Sequence, residues 1–326
     1  MPVTLAQAKL NATDDIDTNV IDEFGKSSFL ISNLTFDDVV NQAGAGATLT
    51  YGYTRLITQA DAAFRAINSE YTPAEVTKQR YTVDLKPLGG SFQIDRVLNR
   101  VAAAAETTLQ MQQKIKATNA KFADAVINGD TAVDANGFDG LSKSLTASST
   151  EYGAAISTDW RGVTIGADGA KANDALDALD AWLAMLDGTP DAILGNIDAI
   201  ARIRSLARRA GYYDRAASAF GQQVESYRGI AMVDLGAKAG SSNLVIPTTS
   251  KTVATVAGNY TDIYAVRFGL DGFHAVSMAG SPLVQTWLPD FTTAGAVKTG
   301  EVELGPAAVV LKATKSAAVF RNILVR

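Results

Sequence analysis

The sequence predicts an α+β fold. Two early runs alternate in apolar character, Leu49, Tyr51 and Tyr53 against Thr48, Thr50 and Gly52, then Tyr81, Val83 and Leu85 against Arg80, Thr82 and Asp84. A period of two marks half-buried strands. A second signal has helical period: Val97, Val101, Ala104, Thr108, Met111, Ile115, Thr118, Phe122 and Ala125 recur at alternating spacings of four and three. Strand signals then crowd the last third of the chain without regular strand–helix alternation, which separates α+β from a doubly wound sheet.

Residues 1–46 open with acidic groups (Asp14, Asp15, Asp17, Asp22, Glu23) interleaved with Ile16, Val20, Ile21, Phe24, Phe29 and Leu30. That mixture is too apolar for a solvated tail and too weakly periodic to fold alone, so it reads as an arm that gains order by lying on another surface. The two early strands are about 25 residues apart, far more than a tight hairpin needs, so 47–94 reads as a long two-stranded projection. An isolated strand pair is marginal in water, which again calls for a supporting surface. Asp95 then caps a helix over Arg96 to Ile127, a rod of roughly 47 Å at about 1.5 Å per residue, better suited to lying across a sheet than to a coiled coil. Asn128-Gly129 ends it and Asn136-Gly137 marks a turn.

Gly153 to Gly169 reads as a loop leading into a second unit. A helix from Asn173 or Asp174 places Leu176, Leu179, Leu183 and Leu186 on one face; Ala192 to Leu194 is a short buried strand; a further helix follows Asn196, with Ile197, Ile200, Ile203 and Leu206 inward and Arg202, Arg204, Arg208 and Arg209 towards its C-terminus. Strands are expected over Ile230–Leu235, Leu244–Pro247, Ile263–Phe268, Phe273–Val276, Val297–Leu304, Ala307–Lys312 and Ala317–Val325.

Composition narrows function. The 326 residues include no cysteine and one histidine, which excludes disulfides, thiolate metal sites, cysteine nucleophiles and any site needing two imidazoles. A formal net charge of −5 argues against a dedicated nucleic-acid binder. No apolar run reaches the roughly 18–20 residues that span a bilayer, and Met1 to Leu10 lacks a signal-peptide pattern, so no membrane partner is expected. His274, in Phe273-His274-Ala275-Val276, reads as a packing residue, because no Gly-x-Ser-x-Gly elbow accompanies it. Gly25-Lys26-Ser27 lacks the earlier glycine of a phosphate loop, where Val20 stands; Asp134-Ala-Asn136-Gly137 starts like a calcium loop but has Phe138 where a ligand belongs. The arginine cluster reads as a solvated helix face at least as readily as a phosphate site, and Tyr212, Tyr213, Phe220 and Tyr227 as a loop packed at a subunit contact. The expectation is therefore no catalytic residue, no cofactor-binding residue and no metal ligand.

Four stretches in order carry a resemblance: Asn128-Gly129-Asp130 through Gly137-Phe138-Asp139-Gly140-Leu141; Tyr227-Arg228-Gly229-Ile230-Ala231-Met232-Val233-Asp234; Ile263-Tyr264-Ala265-Val266-Arg267-Phe268-Gly269; and Ala317-Ala318-Val319-Phe320-Arg321-Asn322-Ile323. With the arm, projection and long helix, they make the chain resemble the HK97-like major capsid proteins of tailed bacteriophages. The resemblance implies an N-terminal arm (1–46), an extended-loop hairpin (47–94), a peripheral P-domain with a spine helix (95–152), an axial A-domain (153–276) and C-terminal strands returning to the P-domain (277–326). It implies a virion protein, assembled in the host bacterial cytoplasm, whose copies form hexamers and pentamers of an icosahedral shell. Inside lies double-stranded DNA held without sequence-specific contact, and scaffolding, portal and decoration proteins are further partners. An encapsulin-like nanocompartment shell is the alternative use of the same fold. Some members cross-link a lysine to an asparagine; Lys78 and Asn322 are the matching residue types here.

Overall fold

The computed structural model describes residues 29–41, 49–97, 104–167, 169–210, 214–217, 223–280 and 282–326. The first 28 residues of the expected arm lie outside them, as do Tyr212, Tyr213 and Phe220. Helix α1 (Phe29–Asn33) and strand β1 (Phe36–Asn41) come first, then β2 (Thr50–Thr58), β3 (Thr77–Asp84) and β4 (Lys86–Asp95). The long helix α2 (Ala104–Asn128) and the short α3 (Leu141–Leu145) follow, with β5 (Glu151–Tyr152), β6 (Thr158–Asp159), α4 (Gly162–Ala167) and α5 (Gly169–Leu183). Next are β7 (Ala192–Gly195), α6 (Ile197–Ala210), β8 (Asp214–Ala217), β9 (Gln223–Tyr227), β10 (Ile230–Asp234), β11 (Thr249–Val253) and β12 (Val256–Val266). The chain ends with β13 (Phe273–Ala279), β14 (Val284–Trp287), β15 (Val297–Leu311) and β16 (Ala317–Leu324).

Two main sheets organise these elements. The first runs β1-β13-β15-β14, with β4 also paired to β15. Strand β15 is its backbone: its first half lies between β14 (Val284 opposite Leu304) and β4 (Leu88 opposite Leu304), and its second half pairs with β13 (Ala275 opposite Val309). Helix α2 lies across β4 and β15, as the helical stripe requires. Its last turns seal the core through Phe122, Val126 and Ile127, while positions 107–117 are only half-buried or exposed. The second sheet runs β5-β16-β12-β7-β10-β9-β8, with β11 added to β12 and β6 to β16. Strand β7 is buried at every residue, and α5 and α6 supply Leu176, Leu179, Trp182, Ile200, Ile203 and Leu206 to the core beside this sheet.

The local signals explain themselves in this frame. Asn196 caps α6 by accepting from the Ala199 amide at 2.9 Å, and Arg208 and Arg209 occupy its last turn, where cations complement the helix dipole. Asp95 accepts from the Val97 amide at 2.7 Å. At Asn128-Gly129 the backbone of Gly129 accepts from the Gly140 amide at 2.9 Å, and a Cβ on Gly129 would stand 2.3 Å from the Phe138 carbonyl. Only glycine permits that approach. Lys143 straps the resulting loop, its Nζ 2.6 Å from Asp130 and 2.9 Å from Asp139. The turn Arg228-Gly229 has positive φ at both residues (51° and 83°) and joins β9 to β10.

Several expectations are corrected. Residues 29–41 lie on their own chain: Leu30 and Leu34 are buried, and β1 pairs in parallel with β13. Residues 86–94, assigned above to the projection, form β4 in the first sheet, because Leu88, Phe92 and Ile94 face α2 or the sheet interior rather than a hairpin partner. Residues 153–169 are no plain loop; they contain β6, α4 and the buried Trp160 and Ile165. The C-terminal strands do not return together: β15 joins the first sheet and β16 crosses to the second. Strand β13, placed above partly within the axial unit, belongs to the first sheet. Leu244–Pro247 forms a single bridge to Ala237 rather than a strand, with Val245 and Ile246 buried.

Phe320 sits at the centre of the second core, its ring 4.7 Å from Tyr152, 5.4 Å from Trp160 and 5.9 Å from Trp182. Its replacement by alanine leaves a cavity the three rings cannot close. Phe320→Ala is expected to destabilise the folded chain by about 3–5 kcal/mol, measured by urea denaturation.

Candidate assembly surfaces

Strands β2 and β3 form a sheet of their own, paired from Thr50 opposite Asp84 to Thr58 opposite Thr77. The root of this hairpin rests on the body. Alternation puts Tyr51, Tyr53 and Arg55 on one face, and burial follows it: Tyr51 is buried, Tyr53 and Arg55 are half-buried, and the intervening Gly52 and Thr54 are exposed. Tyr53 stacks on Tyr81 with centroids 5.5 Å apart, and the Arg55 guanidinium lies 4.7 Å from the Tyr81 centroid and 5.9 Å from that of Tyr53. Arg55 donates to the carbonyls of Leu311 (2.7 Å) and Lys312 (2.8 Å), and the Tyr53 hydroxyl donates to Leu311 at 3.2 Å. Burial pushes the Tyr53 hydroxyl above its ordinary pKa, partly opposed by Arg55.

Beyond the root no described residue outside the hairpin covers it. From Leu56 to Gln79 every described residue is exposed, including Phe64, Ile67 (91%) and Tyr71 (64%). A second apolar surface lies on β14 and its exit, where Val284, Trp287 and Leu288 are exposed and β14 pairs with β15 alone among the described strands. Between the hairpin root and the 131–139 loop runs a groove of about 530 Å³, lined by Tyr53, Tyr81, Phe138 and Val309.

The residues weighed for chemistry are occupied with structure. His274 is 0% exposed on β13, between the arm strand and the hairpin root: Asp37 Oδ2 lies 3.9 Å from its Nε2 and 4.0 Å from the Lys312 Nζ, and the ring meets Tyr51 edge-on at 6.2 Å. Burial, reinforced by Lys312 and opposed by Asp37, holds its pKa below 6.5. In the arginine cluster, Arg202 donates to the Val325 carbonyl, Arg204 pairs with Glu225 at 2.6 Å, and Arg209 donates to the Ile165 carbonyl. Tyr227 is buried and donates to Asp180 at 2.9 Å, so it does not sit on a subunit contact. The Asp134 segment is a turn, Asp134 accepting from the Asn136 and Gly137 amides. No group of three or more acidic or histidine side chains among the described residues could hold a metal. No helix among them is long and apolar enough to cross a membrane.

Asn322 is also committed. It is 6% exposed, sits at φ 58°, and its amide nitrogen donates to the carbonyls of Gly153 (2.9 Å) and Ala154 (2.8 Å). Next to it, Arg321 binds Glu151 at 2.9 Å and Asp262 at 3.1 Å, tying β16 to β5 and β12. Sequence reasoning missed Arg321 and Arg55. For Arg55 a signal existed: it continues the tyrosine face of an alternating strand, where a solvated arginine does not belong.

No protein-family model matches the chain, and no curated protein matches it. Solved structures do. A holo encapsulin complex from Synechococcus elongatus aligns with a TM-score of 0.64 at 15% identity, covering 100% of this chain and 97% of that one. A structure from Mycobacterium phage Bobi aligns at 0.61 and 13% identity, covering 99% of each chain. The capsid of an empty GTA particle aligns at 0.56 and 13%, covering 98% of this chain and 97% of that one. These alignments run the length of both partners. The chain has the fold of capsid-type shell proteins. More narrowly, it is the HK97-like capsid fold, as the four sequence stretches implied.

Two outcomes follow from these side chains. The folded state holds His274 neutral, whereas the unfolded chain takes up a proton near pH 6.5. Its contribution to stability is therefore complete above that value and is lost as pH falls towards the depressed folded pKa. Comparing urea midpoints at pH 7.5 and pH 5, His274→Phe is expected to lose less stability on acidification than wild type. Because Asn322 is buried and doubly bonded, boiled assembled particles are expected to run as a single subunit band on a denaturing gel, with no ladder from Lys78.

Proposed function

We propose that this chain is a major capsid protein, assembling through its projecting hairpin into hexamers and pentamers of an icosahedral shell around phage double-stranded DNA. The observation that carries the reading is the exposed hairpin on a shell fold: Phe64 and Ile67 are uncovered by any described residue, and Tyr71 meets only the Arg65 guanidinium of its own hairpin. In this reading the β2–β3 hairpin is the extended loop, α2 with the first sheet the P-domain, and the second sheet with α5 and α6 the A-domain. The virion is its location, the host cytoplasm its place of assembly, and scaffolding, portal and decoration proteins its further partners. The mildly acidic subunit suits a container that must release its DNA, since dense basic charge would hold phosphates.

A second reading, the shell of an encapsulin-like compartment, is favoured by the alignment with the Synechococcus complex over the whole of this chain. Electron cryomicroscopy of particles isolated from the native cell separates the two: ordered layers of nucleic acid support the capsid, and a shell filled with one folded protein supports the compartment.

Burying one phenylalanine and one isoleucine is worth about 3–6 kcal/mol per contact, on the order of a hundredfold or more in the concentration needed to assemble. The double variant Phe64→Ser, Ile67→Ser is expected to keep the wild-type thermal midpoint as a free subunit and to fail to form shells at concentrations where wild type does, measured by light scattering and negative-stain imaging. Wild-type protein that stays monomeric at high concentration would refute the reading.

A further inference from the structure

We infer that Arg55 is the positioning residue that sets the direction in which the hairpin leaves the body, and through it the uniformity of the assembled shell. The second half of that statement rests on the shell reading above; the first does not.

The hairpin is a two-stranded sheet with no backbone pairing to either main sheet among the described residues. A strand pair of this kind has no orientation of its own relative to the body, and it is marginally stable in isolation. Only the buried Leu85 separates β3 from β4, so the chain fixes where the hairpin starts, and side chains at the root must set the angle at which both strands leave. Two hydroxyl contacts contribute, Tyr51 to Asp37 at 3.4 Å and Tyr53 to Leu311 at 3.2 Å, both long for O–H donors. The short bonds are those of Arg55: one guanidinium nitrogen to Leu311 at 2.7 Å and another to Lys312 at 2.8 Å. Both acceptors lie where β15 stops, so these carbonyls are not both used by sheet pairing. The same planar group is held against Tyr81 on β3 and reaches Tyr53 on β2. One rigid fork thus fixes both hairpin strands to one end of the strand that organises the first sheet. A lysine could supply charge but neither the fork nor the stacking plane.

The consequence is geometric. The tip residues lie on a lever whose near end is Arg55, so a small rotation at the root moves Phe64 and Ile67 by many times that displacement. A closed shell needs every subunit to deliver its tip to an equivalent place on a neighbour.

The experiment compares wild type, Arg55→Leu and Arg55→Lys, with Tyr81→Leu as a second route that removes the stacking surface and leaves the guanidinium. Hydrogen exchange on unassembled subunits reads the clamp. Amides of 50–58 and 77–84 are expected to lose protection at least tenfold in Arg55→Leu and by less in Arg55→Lys, with β12 and β16 unchanged. Imaging of assembled material reads the consequence, with open sheets and a broad spread of diameters expected in place of uniform shells. If Arg55→Leu fails to fold, Tyr81→Leu must show the same two changes. Unchanged exchange in the hairpin would overturn the clamp. Loosened exchange with shells of wild-type diameter would overturn its role in assembly. Should wild type form no shells, the shell reading falls while the exchange measurement still decides the clamp.

Discussion

A two-stranded ribbon cannot bury both of its faces, and much of this molecule follows from that limit. The β2–β3 hairpin covers its root against the body through Tyr51, Tyr53 and Arg55 and then continues for some twenty residues that no other described residue covers. Hydrophobic burial is the main favourable term in both folding and association, so apolar side chains left at the end of such a ribbon are association energy not yet realised. The fold does not strain to hide them. It fixes their base, and in the shell reading proposed above a neighbouring copy supplies the rest.

The body that holds the ribbon is made rigid by strands that cross between its halves. Strand β12 in the second sheet leads directly to β13 in the first, and β15 in the first leads through one short turn to β16 in the second. The Arg321 cluster closes the second sheet around β16, while Phe320 on the same strand fills the aromatic core beneath it. Each half is thereby anchored by the other's chain. Helix α2 adds a different property: its C-terminal turns are sealed in the core, but its earlier turns stay half-exposed, which leaves the first sheet with an incompletely covered flank.

The sequence was most readable where a segment's own chemistry decides its structure. The stripe ending at Ala125 located the long helix, Asn128-Gly129 located its end, and Asn196 located the start of α6. It was least readable where a partner distant in the chain decides. Residues 86–94 carry Pro87, Gly89 and Gly90 and read as part of the projection, yet they form a strand of the first sheet because β15 supplies the ladder more than two hundred residues later. Val297 to Leu311 looked like two strands because Gly305-Pro306 interrupts it; the strand continues, with the pairing register to β4 shifting between Leu304 and Ala307. The described part of the arm was misread for the same reason. Residues 29–41 are too weakly patterned to fold alone, and the surface they need turned out to be β13 of their own chain.

That last correction sharpens the division of labour within the molecule. Leu30, Leu34 and β1 complete the subunit's own core, so the described part of the arm is not held in reserve for a neighbour. Asp37 on β1, His274 on β13, Tyr51 on β2 and Lys312 at the end of β15 meet at one point, directly beside the Arg55 bonds. The arm strand, the first sheet and the hairpin root therefore meet at a single junction. Uncovered apolar surface lies outside that junction, on the hairpin beyond Arg55 and along β14. A chain built this way is complete at its root and exposes apolar surface at its extremities, and under the proposed shell reading that arrangement would let one fixed body form contacts at slightly different angles around a closed shell.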